Sequence, residues 1–382
     1  MARAAAVGNG FVRGPKIWGH FIFDSVAVDE LASEAGMATK WAEPQYTRGQ
    51  IDAAGEILAS DFATGQALEV ALAIINNWRS SHSFPLNTFQ MGLRGRAKQV
   101  DPDSLIAQRI KRLSSIRLKL KLLRTMKLSQ MQDLGGCRAV VHSVPDVYQV
   151  VDLYGGSDLK HKLDHIDDYI RQPRDSGYRG VHLIYRYYSD KKTTYNGLKI
   201  EMQIRSPLQH AWATAVETVG TFIQQALKSS QGEEEWLRFF ALMGTAIANR
   251  ERTAPVPYTP TDRKELVRQL RRCANALDIE RKLKAYGAAL ETLEEPGLQK
   301  AHYFLLALDP TANSVTITGY KFGELESASN EYLATERAMA GKPGADVVLV
   351  SVESLASLRR AYPNYFLDTS VFIDAVKRAM SA

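Results

Sequence analysis

The sequence predicts an α+β fold in two modules, and three observations lead there. Stretches of period-two alternation at 137–142, 181–187 and 198–205 stand among long helical patterns, which implies a sheet flanked by helices. Thr253-Ala-Pro-Val-Pro-Tyr-Thr-Pro260 carries three prolines in eight residues and cannot continue a helix. Beyond it, the chain from about residue 296 forms a strand–turn–strand–helix–strand pattern of its own. The expected organisation is an N-terminal extension at 1–42, a first module at 43–252, a linker and connecting helix at 253–295, and a second α+β module at 296–382.

Taken in order, residues 43–80 read as helical: Thr47 is a capping type, and Ile51, Ala54, Leu58, Leu68, Ala71, Leu72 and Ile75 follow helical spacing. Residues 104–127 give the cleanest helical stripe (Ile106, Ile110, Leu113, Ile116, Leu120, Leu123), with Lys111, Ser115 and Lys119 as a row on another face. Cys137–His142 reads as a strand and Pro145 opens a helix. Val181–Tyr187 and Leu198–Arg205 are strands, joined by a turn at Tyr195-Asn-Gly197. Helices follow at 208–227, 233–250 and, after the prolines, 262–293. The second module reads as strands at 302–309, 314–320 and 346–352, with helices at 324–340, 353–360 and 370–380.

Composition narrows the class. With 45% apolar residues, 26 Gly, 14 Pro and two cysteines among 382 residues, collagen-like, disordered and disulfide-stapled chains are excluded. Cys137 and Cys273 lack partners at metal-ligand spacing, so a cysteine zinc site is not expected. No apolar run approaches the roughly 18 residues of a membrane span, and the N-terminus lacks a secretory core. We therefore expect a cytoplasmic protein without membrane attachment. The net charge of +6 is uneven: Arg94–Arg138 holds twelve Lys or Arg against three Asp, a surplus of nine, which leaves the rest at −3. Such a concentration suits polyanions; a solvated helix face is the plain alternative.

The strand Leu198–Arg205 turns Leu198, Ile200, Met202 and Ile204 to one side and Glu201, Gln203 and Arg205 to the other. A solvated face on an antiparallel strand would explain this alone. Three other pieces accompany it. Arg109, Lys111, Ser115 and Lys119 offer donors for a polyphosphate, and Asp133-Leu-Gly-Gly-Cys-Arg138 puts a carboxylate before a strand. Gly177-Tyr178-Arg179-Gly180-Val181-His182 places an aromatic ring among arginines, suited to stacking on a base. Together with Glu201-Met-Gln203-Ile-Arg205 and His210, these residues resemble the RelA/SpoT-type alarmone synthetase domain over residues 43–250.

That resemblance implies a nucleotidyltransferase-like mixed sheet that transfers pyrophosphate from ATP with Mg²⁺. It gives Arg109, Lys111, Ser115, Lys119 and Arg138 to ATP, and Asp133 and Glu201 to the metal, with Glu201 also the base that deprotonates the attacking hydroxyl. Tyr178, Gln203, Arg205 and His210 would form the acceptor side. Two departures stand out: Ser114 occupies a place where an aromatic is common, and the isolated His20 and His82 leave no hydrolase half. The C-terminal Tyr362-Pro-Asn-Tyr365, without zinc-binding cysteines, is similar to the pseudo-zinc-finger of the toxic small synthetases known as CapRel, which are fused toxin–antitoxin proteins of anti-phage defence. The likeness implies that Tyr362 and Tyr365 dock on the ATP site and that a phage major capsid protein releases them. It implies the 3′-hydroxyl of the terminal adenosine of tRNA as acceptor, in a monomer, with translation inhibited. Arg112, Arg117, Lys121, Arg124 and Lys127 are the candidates for the tRNA surface. The alternatives are a synthetase making (p)ppGpp or (p)ppApp from a free nucleotide, and a catalytically inactive RNA-binding module.

Overall fold

The computed structural model describes residues 41–60, 62, 64–157, 159–226, 233–288, 291–294 and 298–381. The expected N-terminal extension lies, up to residue 40 and including His20, outside the described residues. Thr47 caps α1 (Arg48–Ala59) in a capping box with Gln50, as its position in the sequence predicts. The helical stretch then divides, because Ser60 is extended and Gly65 takes φ +65° before α2 (Gly65–Ser80). Helix α3 (Ser83–Val100) follows.

The helix expected over 104–127 is corrected. Leu105–Ile110 is a strand, β1, and α4 begins only at Leu113 and ends at Leu122. Both faces of β1 are covered, so Leu105, Ile106 and Ala107 are all buried and the strand lacks the alternation that would betray it. Strand β2 (Gly135–Val140), helix α5 (Val144–Gly155) and strands β4 (Val181–Arg186) and β5 (Lys199–Arg205) lie close to their predicted places. Strand β3 (Lys162–Asp168) has no counterpart among the predicted elements. The turn expected at 195–197 is part of a longer connection containing the 3₁₀ turn Thr193–Tyr195, with Gly197 at φ +87°.

Helices α6 (Pro207–Ala226) and α7 (Glu233–Glu251) precede the proline-rich stretch. The single helix expected over 262–293 is α8 (Arg263–Leu277) and α9 (Ile279–Ala288), broken at Asp278 in the left-handed region, then β6 (Glu291–Glu294). Strands β7 (Tyr303–Asp309), β8 (Ser314–Tyr320) and β9 (Asp346–Ser351) and helices α10 (Leu325–Ala338), α11 (Leu355–Ala361) and α12 (Ser370–Ser381) match the predicted C-terminal pattern.

The described strands form one mixed sheet in the order β3-β4-β5-β2-β1-β9-β7-β8-β6, with β2–β5 and β6–β8 parallel and the remaining pairs antiparallel. The sheet thus continues from the first predicted module into the second through Gln108↔Ser351 and Arg109↔Val350. Ile106, Cys137, Ala139, Leu183, Ile200 and Met202 pack one face against α1–α3 and α5. Leu105, Ala107 and Val140, on the opposite face, join a second core with Phe304, Val350 and Tyr365. A third core unites α6–α9 with α12. None of the described helices is long and apolar enough to cross a membrane.

Candidate active site

Strand register builds the site. Arg109 of β1 stands opposite Gly136 of β2, and Gly136 opposite Glu201 of β5; the next row runs Ala107, Arg138, Gln203. These rows share the face away from the α1–α3 layer, since alternation sends Cys137, Ala139, Ile200 and Met202 into the first core. Gly136 is the gap between an arginine and a carboxylate: a Cβ there would have only the Glu201 carbonyl oxygen near it, at 3.8 Å. The cleft is lined by Arg109, Lys111, Asp133, Arg138, Glu201 and Gln203, and Tyr362 closes it.

Lys111 and Lys119 converge although Lys111 precedes the helix. Lys111 Nζ donates to Asp133 Oδ2 at 2.7 Å and Lys119 Nζ to Oδ1 at 3.0 Å. Burial lowers the Lys111 pKa, and the neighbouring Asp133 carboxylate opposes that fall. Ser115 lies half-buried on the first turn of α4. Burial likewise lowers Arg138 to about 10, with Arg205 and Arg109 adding to the fall.

Tyr178, Gln203 and Arg205, expected on the acceptor side, form a closed hydrogen-bonded ring with His182 and Glu201. Tyr178 Oη meets His182 Nε2 at 2.5 Å, and His182 Nδ1 meets Glu201 Oε1 at 2.9 Å. Gln203 Nε2 donates to Glu201 Oε2 at 2.7 Å, and Arg205 Nη2 donates to Gln203 Oε1 at 2.7 Å and to Tyr178 Oη at 2.6 Å. Burial pushes the Glu201 pKa up, but the bonds from His182 and Gln203 outweigh it and hold the carboxyl at about 2. Arg205 lies over the Tyr178 ring at 5.0 Å. The loop carrying Tyr178 is fixed by Gly177, at φ +96°, where a Cβ would stand 2.8 Å from the Phe240 carbonyl oxygen.

His210 sits beside this ring, against the C-terminal segment; its Nε2 donates to the Arg360 carbonyl at 3.2 Å. Tyr362 is buried, with its hydroxyl donating to the Gln108 carbonyl at 3.0 Å and its ring 5.2 Å from the Arg138 guanidinium. Arg138 also donates to the Ala361 carbonyl. Tyr365 is fully buried and accepts from Arg112 Nη1 at 3.3 Å. Arg112 in addition pairs with Asp346; Arg117, Arg124 and Lys127 are exposed and Lys121 is half-buried.

Sequence reasoning missed three residues. Glu217 on α6 is half-buried near Arg109, Arg112, Arg138 and Arg205; desolvation raises its pKa, and those cations bring it below the ordinary value. It is the one acid in α6, and that isolation was its signal. His182 stands out in the sequence only as the last residue of the Gly177–His182 motif, and Glu336 falls in an unremarkable helix. His82 is a core residue: its Nδ1 donates to the Trp78 carbonyl at 2.7 Å, and burial lowers it to about 4.

Among the described residues no group of three or more His, Cys, Asp or Glu is placed to hold a metal. Asp133 and Glu201 nevertheless line one cleft, and two carboxylates suit a hard cation that keeps waters and substrate oxygens as its other ligands. A separate cavity of about 310 Å³ between α8, α9 and α12 contains none of the predicted site residues.

Residues 108–220 match the family described as "Region found in RelA / SpoT proteins". The chain is similar to the GTP pyrophosphokinase YwaC of Bacillus subtilis (strain 168), 32% identical over 85 residues, which cover 22% of this chain and 40% of that protein. It is also similar to the GTP pyrophosphokinase YjbM of the same organism, 28% identical over 115 residues, 30% of this chain and 54% of the relative. The chain thus spans about half or less of the curated relatives it matches. Among solved structures, the small alarmone synthetase 2 of Bacillus subtilis aligns with a TM-score of 0.39 and 20% identity over 47% of this chain and 94% of that one.

Proposed function

We propose that this chain transfers pyrophosphate from ATP to a ribose hydroxyl, with a free guanosine nucleotide as acceptor. The observation that carries the reading is the cleft in which Arg109, Lys111, Arg138, Asp133 and Glu201 meet, inside the stretch that matches RelA/SpoT proteins. The acceptor oxygen attacks the β-phosphorus, its bond to the α-phosphate oxygen breaks, AMP leaves, and the hydroxyl proton goes to base or water. Arg109, Lys111, Lys119 and Arg138 preorganise positive charge, and Ser115 a hydroxyl donor, where the phosphate oxygens gather negative charge. Asp133 and Glu201 would hold Mg²⁺, which would draw charge from those oxygens. A carboxyl held at about 2 is a weak base, so in this arrangement Glu201 is better suited to holding charge than to taking the proton. Tyr178 would stack the acceptor base with Gln203, Arg205 and His210 around it.

The choice of guanosine rests on the curated relatives, both of which are called GTP pyrophosphokinases. A second reading has the tRNA 3′-end as acceptor, in a fused toxin–antitoxin released by a phage capsid protein. Two observations favour it: the exposed cations Arg117, Arg124 and Lys127 beyond the cleft, and the docked tyrosine turn. With Tyr362 in place the cleft holds about 70 Å³, against roughly 300–1,000 Å³ for ordinary ligand pockets. The resting protein on this reading is closed to ATP. The test is to incubate the full-length Tyr362→Ala protein with radiolabelled ATP and, in turn, GDP, GTP, ADP, ATP and tRNA. Labelled guanosine product supports the first reading, labelled tRNA replaces it with the second, and no transfer to any acceptor overturns both.

A further inference from the structure

The C-terminal segment touches the nucleotide cleft at a second place, away from the tyrosine turn. Arg79, on α2, is completely buried, an unusual place for a guanidinium. Its Nε donates to the Lys111 carbonyl at 3.0 Å, and its Nη1 to Asn76 Oδ1 and to Glu336 Oε2, both at 2.9 Å. Glu336 belongs to α10, in the C-terminal segment. Its Oε1 accepts from the Leu113 backbone N–H at 2.8 Å and from the Tyr332 hydroxyl at 3.1 Å. Arg112, between Lys111 and Leu113, pairs with Asp346 at the start of β9.

The turn from β1 into α4 is therefore held at each of its three residues, two of them by carboxylates from the C-terminal segment. This turn carries Lys111 and leads into Ser115 and Lys119, three of the residues assigned above to the ATP phosphates. Its backbone sets where the Lys111 ammonium can reach. Removing the whole C-terminal segment would leave a buried guanidinium without the carboxylate it meets, leave the Leu113 N–H without its acceptor, and unpair β9 from β1.

We propose that Glu336 is a positioning residue for the donor site: through Arg79 and the Leu113 amide it braces the Lys111–Leu113 turn. Activation then displaces the Tyr362–Leu367 turn while β7–β9 and α10 stay docked. The inference rests on the donor-site reading above, and it makes the C-terminal segment a support of the site as well as its cover.

Two measurements on full-length protein separate the brace from that reading. The first is amide hydrogen exchange across 105–122 without nucleotide. Glu336→Gln should accelerate exchange at Leu113 and its neighbours while leaving 135–140 protected, and Glu336→Asp should restore much of the protection. Unchanged protection in Glu336→Gln overturns the brace. The second is calorimetric binding in a Tyr362→Ala background of a non-hydrolysable ATP analogue and, separately, of GDP. Adding Glu336→Gln should weaken the analogue by roughly tenfold to a hundredfold and leave GDP unchanged. Equal analogue affinity with and without Glu336→Gln also overturns the brace. Failure of every variant to bind the analogue instead overturns the donor-site reading, while the exchange measurement still decides the brace. Should Glu336→Gln fold poorly, Asp346→Asn tests the same turn through Arg112, with the same expected loss of analogue affinity.

Discussion

The tyrosine turn and helix α10 reach the same short stretch of the first module, but with different chemistry. Tyr362 and Tyr365 arrive as buried aromatics whose polar contacts are hydroxyl-to-carbonyl, guanidinium-to-hydroxyl and guanidinium-to-ring. Glu336 and Asp346 arrive as carboxylates, each against an arginine. Aromatic burial fills space, and here Tyr362 fills part of the cleft lined by Arg109, Lys111, Asp133, Arg138 and Glu201. An ion pair around a completely buried arginine fills little space, and losing one member strands the other. The first kind of contact can be withdrawn with its hydroxyls returning to water. The second resists withdrawal, which is why the two contacts suit a cover and a support.

The comparison breaks most easily at Arg79. Arg79→Met removes the cation but leaves Glu336 in place, and should lower unfolding stability by about 3–5 kcal/mol in denaturant titration. A loss below about 1 kcal/mol would mean that the pair behaves like a surface salt bridge and braces nothing. Acid offers the next largest effect, through buried histidines. His82 is held neutral down to about 4, so between 6.5 and that value the unfolded chain binds a proton that the fold excludes. Its contribution is complete well above 6.5 and is lost as the pH falls, by about 1–2 kcal/mol between 6.5 and 5. His82→Asn should flatten that part of the stability–pH curve. His210 is also held well below its ordinary value, by burial first and by Arg138 and Arg205 second. Burial under the docked turn disfavours its protonated form, although the bond it donates to the Arg360 carbonyl opposes this, so falling pH favours undocking of the tyrosine turn. Acidification should thus loosen the cover.

Much of this was legible in the sequence where one face of an element is wet. Strand β5 declared itself because Glu201, Gln203 and Arg205 alternate with apolar partners, and Thr47 announced the start of α1. Strand β1 was read as helix because both of its faces are covered, and Ile106 and Ile110 happen to lie four apart. Lys111 and Lys119 were grouped on one helix, whereas a strand, a turn and a helix bring them together on Asp133. The carboxylates Glu217 and Glu336 could not be found by motif, since their partners lie far away in the sequence and each arginine looks ordinary until the fold buries it. The ordering of β1 beside β9 was equally out of reach, because strand neighbours are set by packing over 240 residues of separation rather than by local pattern.

Tyr362→Phe gives the smallest and sharpest test of the cover. The substitution keeps the ring over Arg138 and removes only the hydroxyl that donates to the Gln108 carbonyl. A buried carbonyl left without its donor costs about 1 kcal/mol, and that cost falls on the docked state alone, since water satisfies both groups once the turn withdraws. The docking equilibrium should therefore shift toward the open form by roughly fivefold. Binding of a non-hydrolysable ATP analogue should tighten by the same factor for as long as the closed form predominates. The hydrogen exchange of Leu113, which depends on Glu336, should stay as slow as in the unmodified protein. If Leu113 exchange accelerates together with nucleotide binding, the turn and α10 move as one body, and the distinction between cover and support fails.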